Sequence, residues 1–163
     1  MVELYRYLVY KKAGQVPRKE VKMNPIPAND IEAVKAFTMD DHSMAVLGEA
    51  FWNLVKHYNL NRSETAIMLG IKDNRNRVKD LEKKKAIPDD PDKVQRVGNL
   101  VAIHKSLRII FPHNRDIVYA WMKTPSPLFG DISPIEYIKQ DPVNSLPRIF
   151  KIRRTLDQIR CGA

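Results

Sequence analysis

The side chains best equipped for recognition chemistry lie between positions 72 and 83. Arg75 and Arg77 carry forked donors that can bond two acceptors of a guanine, and Asn74 and Asn76 can do the same with an adenine. Lys72, Lys79 and Lys83 suit phosphate oxygens, and Arg62 lies a short distance upstream. The surrounding segment Lys72–Lys85 holds seven Lys or Arg against three acids in a chain of net charge +9. Such an excess attracts polyanions by counterion release, and nucleic acid is the usual partner. Asp73, Asp80 and Glu82 lie in the same segment and would repel phosphate if they faced it, so a solvated basic helix stays open beside the DNA-binding one.

A second stretch, W-M-K-T-P-S-P-L-F-G-D-I-S-P-I-E-Y-I at residues 121–138, is too apolar and too rich in proline for a plain connection. Leu128 and Phe129 fall at the tip of its turn and suit contact with a partner. Trp121 either joins them or fills the core. Further on, Arg148 to Arg160 holds five basic residues against one acid. Catalytic sets are missing: there is no G-x-S-x-G, no glycine loop for phosphate, no H-E-x-x-H and no Cys/His spacing for a metal. Asp40-Asp41-His42 reads as a polar helix start. The single cysteine, Cys161, excludes an internal disulfide and a zinc site built on several thiolates. The expectation is a binding protein without enzymatic activity, cofactor or metal. No apolar run is long enough to span a bilayer, and the N-terminus makes a poor signal peptide, so a cytoplasmic protein with no membrane contact is expected.

The elements that must position these residues are helical, in an all-α helical bundle. The aromatic opening L-Y-R-Y-L-V-Y suits a strand or a helix, a proline turn follows at 24–30, and a helix passes through Ile31, Val34 and Phe37. A longer helix runs from His42 with Phe51, Trp52, Leu54, Val55 and Tyr58 on its apolar face. Ser63 to Leu69 forms a short helix closed by Gly70, and Asn74 to Lys85 the basic one, with Val78 and Leu81 inward. This pair predicts a helix-turn-helix whose second helix enters the major groove. Pro88 and Pro91 end it, and Asp90 or Asp92 opens a helix through Val97, Leu100, Ile103 and Leu107. Asn114 caps a short helix reaching Trp121. Ser133-Pro134-Ile135-Glu136 is a capping box with proline at the first helical position. A final helix starts near Ser145, with Ile149, Ile152, Leu156 and Ile159 in register.

The proline corner, in this order of elements, resembles the C-terminal toxin-binding domain of the MbcA/ParS/Xre antitoxin family. That family's pattern is tryptophan and leucine, a gap, Pro-Asn-Pro-x-Leu-Gly-Gly, two residues, then Pro-Leu and an apolar helix. Trp121-Met122, Pro125, Pro127, Gly130 and Ser133-Pro134-Ile135 keep their places. Ser126, Phe129 and Asp131 depart from it, and the basic helix lacks the tryptophan common in Xre-type domains. The resemblance spans about residues 45–163. It implies an extension at 1–40, an Xre-like helix-turn-helix domain at 41–90 and a toxin-binding domain at 91–163. It also implies a type II antitoxin that blocks the active site of a RES-domain, NAD-consuming toxin and represses its own operon as a homodimer on operator DNA. A stand-alone helix-turn-helix regulator without a toxin is the alternative. On the antitoxin reading Trp121, Pro125, Pro127, Leu128, Phe129 and Gly130 form the toxin contact. Arg153, Arg154 and Arg160 would point at a pocket made for a phosphate-bearing dinucleotide.

Overall fold

A computed structural model describes residues 40–161. The expectations for L-Y-R-Y-L-V-Y, for the turn at 24–30, for the helix through Phe37 and for Gly162 lie outside the described residues. Within them the chain is all-α. Its helices are α1 (Asp41–His57), α2 (Arg62–Leu69), α3 (Arg75–Lys84), α4 (Pro91–Ile110), α5 (Arg115–Ala120), α6 (Pro134–Lys139) and α7 (Ser145–Cys161). Short 3-10 turns at Trp121–Lys123 and Pro127–Phe129 carry the corner between α5 and α6.

Local chemistry sets most of the boundaries. Asp40, read as part of a polar helix start, accepts from the Ser43 amide at 2.8 Å and opens α1. Asp90 caps α4 in the same way. Pro91, expected to terminate the preceding helix, is instead the first residue of α4. Its missing amide hydrogen would have had no partner there in any case. What ends α3 is Lys85 in the left-handed conformation at φ 51°.

One continuous core runs from Phe51 to Ile159, with α4 as its axis. Phe51, Trp52, Leu54 and Val55 of α1 pack on one side of α4, and Ile149, Ile152, Leu156 and Ile159 of α7 pack on another. The Trp52 indole, fully buried, donates to the Ala86 carbonyl at 2.9 Å, so its only polar atom is satisfied. Gly48 gives close approach here: a Cβ on it would collide with the Lys85 carbonyl oxygen.

Between α4 and α7 the apolar seam is laced with polar pairs. Arg96 donates to Ser145 Oγ at 2.8 Å, Asn99 accepts from Arg153 at 2.9 Å, and Ser106 donates to Asp157 at 2.9 Å. The partners advance in the same order along both helices, so α4 and α7 run in the same direction. Each pairing keeps a buried polar group from being stranded, which would cost about 1–3 kcal/mol.

Candidate functional site

Two surfaces carry the residues singled out above. The first is the α2–α3 pair. Asn61 and Glu64 form a reciprocal capping box at the start of α2, each side chain bonded to the other's amide at 2.9 Å. The sequence signal, Asn-Arg-Ser-Glu, was available, although Ser63 suggested a later start. Gly70 then turns the chain at φ 65°. Its missing side chain also makes room for Arg96, because a Cβ there would lie 2.5 Å from Arg96 Nε. Arg96 is itself held by Asp92 at 2.9 Å.

Along α3 only Val78 is buried. Lys72, Arg75, Asn76, Arg77, Lys79 and Lys83 are all exposed around the helix and the turn before it. Asn74 caps the helix, its side-chain oxygen accepting from the amides of Asn76 and Arg77 at 3.0 and 3.1 Å. Arg62 pairs with Asp73 at 2.7 Å, which offsets both charges. Arg62, Arg75 and Lys79 rim a groove of about 320 Å³ floored by Trp52, Val55 and Val78.

The second surface is the corner with α6 and α7. Ser126 is fully buried, and its carbonyl accepts from Phe129 and Asp131 while its amide donates to the Ile132 carbonyl at 3.0 Å. This closed loop needs positive φ at Gly130 (77°) and Asp131 (60°). Ser133 and Glu136 complete the expected capping box. Hydrogen bonds from the Ser133 hydroxyl and amide hold the Glu136 carboxyl below its ordinary range.

The packing decides the alternative left open for Trp121. It is 2% exposed and meets Phe129 edge-on at 6.1 Å between ring centres. Phe129, expected at an exposed tip, is only 6% exposed. It folds under the corner between Trp121 and Tyr137, whose ring lies 5.4 Å away, because the tight turn directs it inward. Leu128 and Pro127 are half-buried, while Pro125 and Gly130 are exposed. Tyr137 ends the aromatic chain under two cations, with Arg148 4.5 Å and Lys151 5.4 Å from its ring centre.

The three arginines of α7 differ. Arg153 is tied to Asn99 and lies 3.5 Å from Asp157, and Arg160 lies 3.6 Å from the same carboxylate. Arg154 is exposed and pairs with no acid among the described residues. Sequence reasoning passed over Phe150, 40% exposed beside this arginine. Its signal was its place off the stripe of Ile149, Ile152, Leu156 and Ile159.

The side chain of Lys123 joins the two surfaces. Lys123 reaches across from the corner to Glu64 of α2 at 3.3 Å and to the Asn59 carbonyl. Nearby, the rings of His57, His104 and Tyr119 lie parallel, with His57 and Tyr119 centres 4.4 Å apart. The Tyr58 hydroxyl and His104 Nδ1 share a hydrogen bond of 3.0 Å. Burial, with Tyr119 nearby, raises the Tyr58 hydroxyl above its ordinary range. Burial, then the neighbouring His57 and Arg108, lowers His104.

Among the described residues no group of His, Cys, Asp and Glu is arranged to hold a metal ion, and no helix is long and apolar enough to cross a membrane. Residues 106–162 match the family described as the antitoxin Xre/MbcA/ParS C-terminal toxin-binding domain. The match takes in the end of α4, α5, the corner, α6 and α7. No curated protein matches the chain.

Proposed function

From the membership of residues 106–162 in the antitoxin Xre/MbcA/ParS C-terminal toxin-binding domain family, we propose that this antitoxin neutralises a RES-domain toxin by covering its active-site entrance, and represses its own operon through α3. The family match carries the antitoxin part. The action is binding, without chemistry on a substrate. The partner is the toxin encoded beside it, in the cytoplasm, and the operator is met as a homodimer.

Two features support the finer parts. The domain's α7 is basic, and an arginine projecting from it toward the toxin's dinucleotide pocket would bar the entrance to substrate. Arg154 has the freedom to do this, whereas Arg153 and Arg160 steady the helix. The corner supports α7 from behind: Trp121 and Phe129 pack the domain, and Pro125, Pro127, Leu128 and Gly130 form the edge of the contact. For DNA, the support is the exposure of Arg75, Asn76, Arg77, Lys79 and Lys83 on a helix with a single buried residue. Arg75, Asn76 and Arg77 would meet base edges, and Lys72, Lys79 and Lys83 phosphates. Asn74 and Arg62 position these groups. On this division residues 41–90 serve DNA and 91–163 serve the toxin.

The test is co-expression with the protein of the neighbouring reading frame. The expected result is relief of that protein's growth arrest and a complex that co-elutes. Growth arrest that persists, with the two proteins eluting apart, rejects the antitoxin role and leaves a regulator that acts alone.

A further inference from the structure

Between Leu69, buried at the end of α2, and Val78 of α3, no residue is buried. The path of α3 is therefore set by the turn at Gly70 and by whatever fixes that turn. One side chain from outside the α2–α3 pair lies against it. A Cβ on Gly70 would fall 2.5 Å from Arg96 Nε and 2.7 Å from Arg96 Cζ, so the guanidinium occupies the place of a side chain at the turn. We infer that Arg96 is a positioning residue for DNA recognition: it ties the turn at Gly70 to the foot of α7 through Ser145, so the register in which α3 meets bases depends on a residue of the C-terminal unit. This deepens the DNA-binding reading of α3 and rests on it.

Arg96 is itself held from two directions. Its Nε donates to Asp92 Oδ2, one turn back on α4, at 2.9 Å. Its Nη1 donates to Ser145 Oγ at 2.8 Å in a buried bond. The Ser145 hydroxyl donates in turn to the Pro142 carbonyl at 2.9 Å. Its hydrogen is thus committed to Pro142, and a lone pair is left for Arg96. Asp92 by itself would fix one corner of the planar fork and leave its tilt open. Ser145 fixes the second corner, and a rigid fork held at two corners has one orientation. Ser145 lies inside the span 106–162 matched by the antitoxin family, whereas Gly70 belongs to the helix pair that carries α3.

The link through Lys123 does a different job. It meets Glu64 at 3.3 Å, at the start of α2, and does not touch the turn. A displaced turn has a definite signature. Arg75, Asn76 and Arg77 must meet base edges, and such a constellation works only when held within about 0.5 Å. Phosphate contacts from Lys72, Lys79 and Lys83 carry no sequence information. Loosening Arg96 therefore removes sequence preference and keeps charge-driven affinity.

Ser145→Ala removes the acceptor and leaves α3, its cations and the turn sequence intact. Affinity of the intact chain is measured by mobility shift for a duplex from upstream of its own reading frame and for an unrelated duplex of the same length. Two salt concentrations are used, at a temperature where circular dichroism shows each variant folded. The expected result is a fall of about tenfold in the ratio of the two affinities, the worth of one good base contact. Affinity for the unrelated duplex and its salt slope should be kept. Arg96→Lys, which keeps the charge and loses the fork, should give the same fall. The double variant should lose no more than either alone, because both act through one contact. Ser133→Ala, a cap lost on α6 away from Arg96, should leave the ratio unchanged.

A folded Ser145→Ala chain with the parental ratio overturns the role of Arg96 and leaves the DNA reading standing. So do losses that add in the double variant, and a ratio that falls equally in Ser133→Ala, since loss of stability alone then explains it. A Ser145→Ala chain that folds at no temperature overturns it too, because the bond then holds the whole fold rather than the register of α3. Where only Arg96→Lys fails to fold, Ser145→Ala decides alone. A parent chain with no preference for its upstream duplex overturns both the DNA reading and the inference.

Discussion

Helices α3 and α7 are both strongly basic, yet they use their charge in opposite ways. The segment carrying α3 holds seven cations against three acids and buries only Val78 of the helix. The segment around α7 holds five against one, but α7 buries Ile149, Ile152, Leu156 and Ile159 and is a wall of the core. Cations on α3 therefore stay outside, spread around a lightly attached helix. On α7 they are sorted by the packing. Arg153 and Arg160 are drawn to Asp157, and Arg148 to the Tyr137 ring and carbonyl, while Arg154 is left outward. An excess of charge thus says little about function until the buried partners are known.

The largest expected effect lies on the α7 side. Trp121→Ala should cost about 3–5 kcal/mol of stability in chemical denaturation, as for other buried large aromatics, and toxin binding should fall with folding. A variant of parental stability that fails to bind would instead make Trp121 a surface anchor. Next comes the hinge of the α2–α3 pair. Gly70→Ala places a Cβ in a left-handed residue, which costs about 1–2 kcal/mol, and drives it against Arg96. DNA binding should suffer more than toxin binding, since the turn carries α3. Ser133→Ala, which removes half of a capping box from α6, should cost about 1 kcal/mol and leave DNA binding alone.

The smallest effect is a pH dependence where α1, α4 and α5 meet. His104 is held below its ordinary value in the fold, chiefly by burial and then by His57 and Arg108. At a pH between its folded and unfolded values the unfolded chain therefore binds more protons, and stability rises with pH there. The neutral form's contribution is fully present above the unfolded value of about 6.5 and is lost as pH falls through the lower folded value. Melting temperatures between neutral and mildly acidic pH should fall less in His104→Gln than in the parent, where neutral His104 is favoured.

How much of this was legible follows from how far each interaction reaches along the chain. The caps at Asp90, Asn114 and Ser133, the glycine turn at Gly70 and the start of α7 depend on neighbours within a few residues, and the sequence displays them. Fates set by distant partners were hidden. Phe129 looked like a turn tip because nothing local reveals Tyr137 beneath it. Arg153 looked available because Asn99, its partner, lies 54 positions away. Asn74 looked like a base reader, although its oxygen caps α3. Phe150 escaped notice because it sits beside an inward isoleucine, and only the face of the formed helix sets them apart.

The division between the two helices is tested most directly by Arg75→Ala combined with Arg77→Ala, read for both partners in one preparation. Binding to the DNA upstream of its reading frame is measured by mobility shift at two salt concentrations, and binding to the protein of the neighbouring reading frame by gel filtration. The account predicts a loss of about tenfold or more in DNA affinity, with a shallower salt dependence, and an undiminished toxin complex. DNA binding that survives intact, or toxin binding that falls alongside it, would contradict the account.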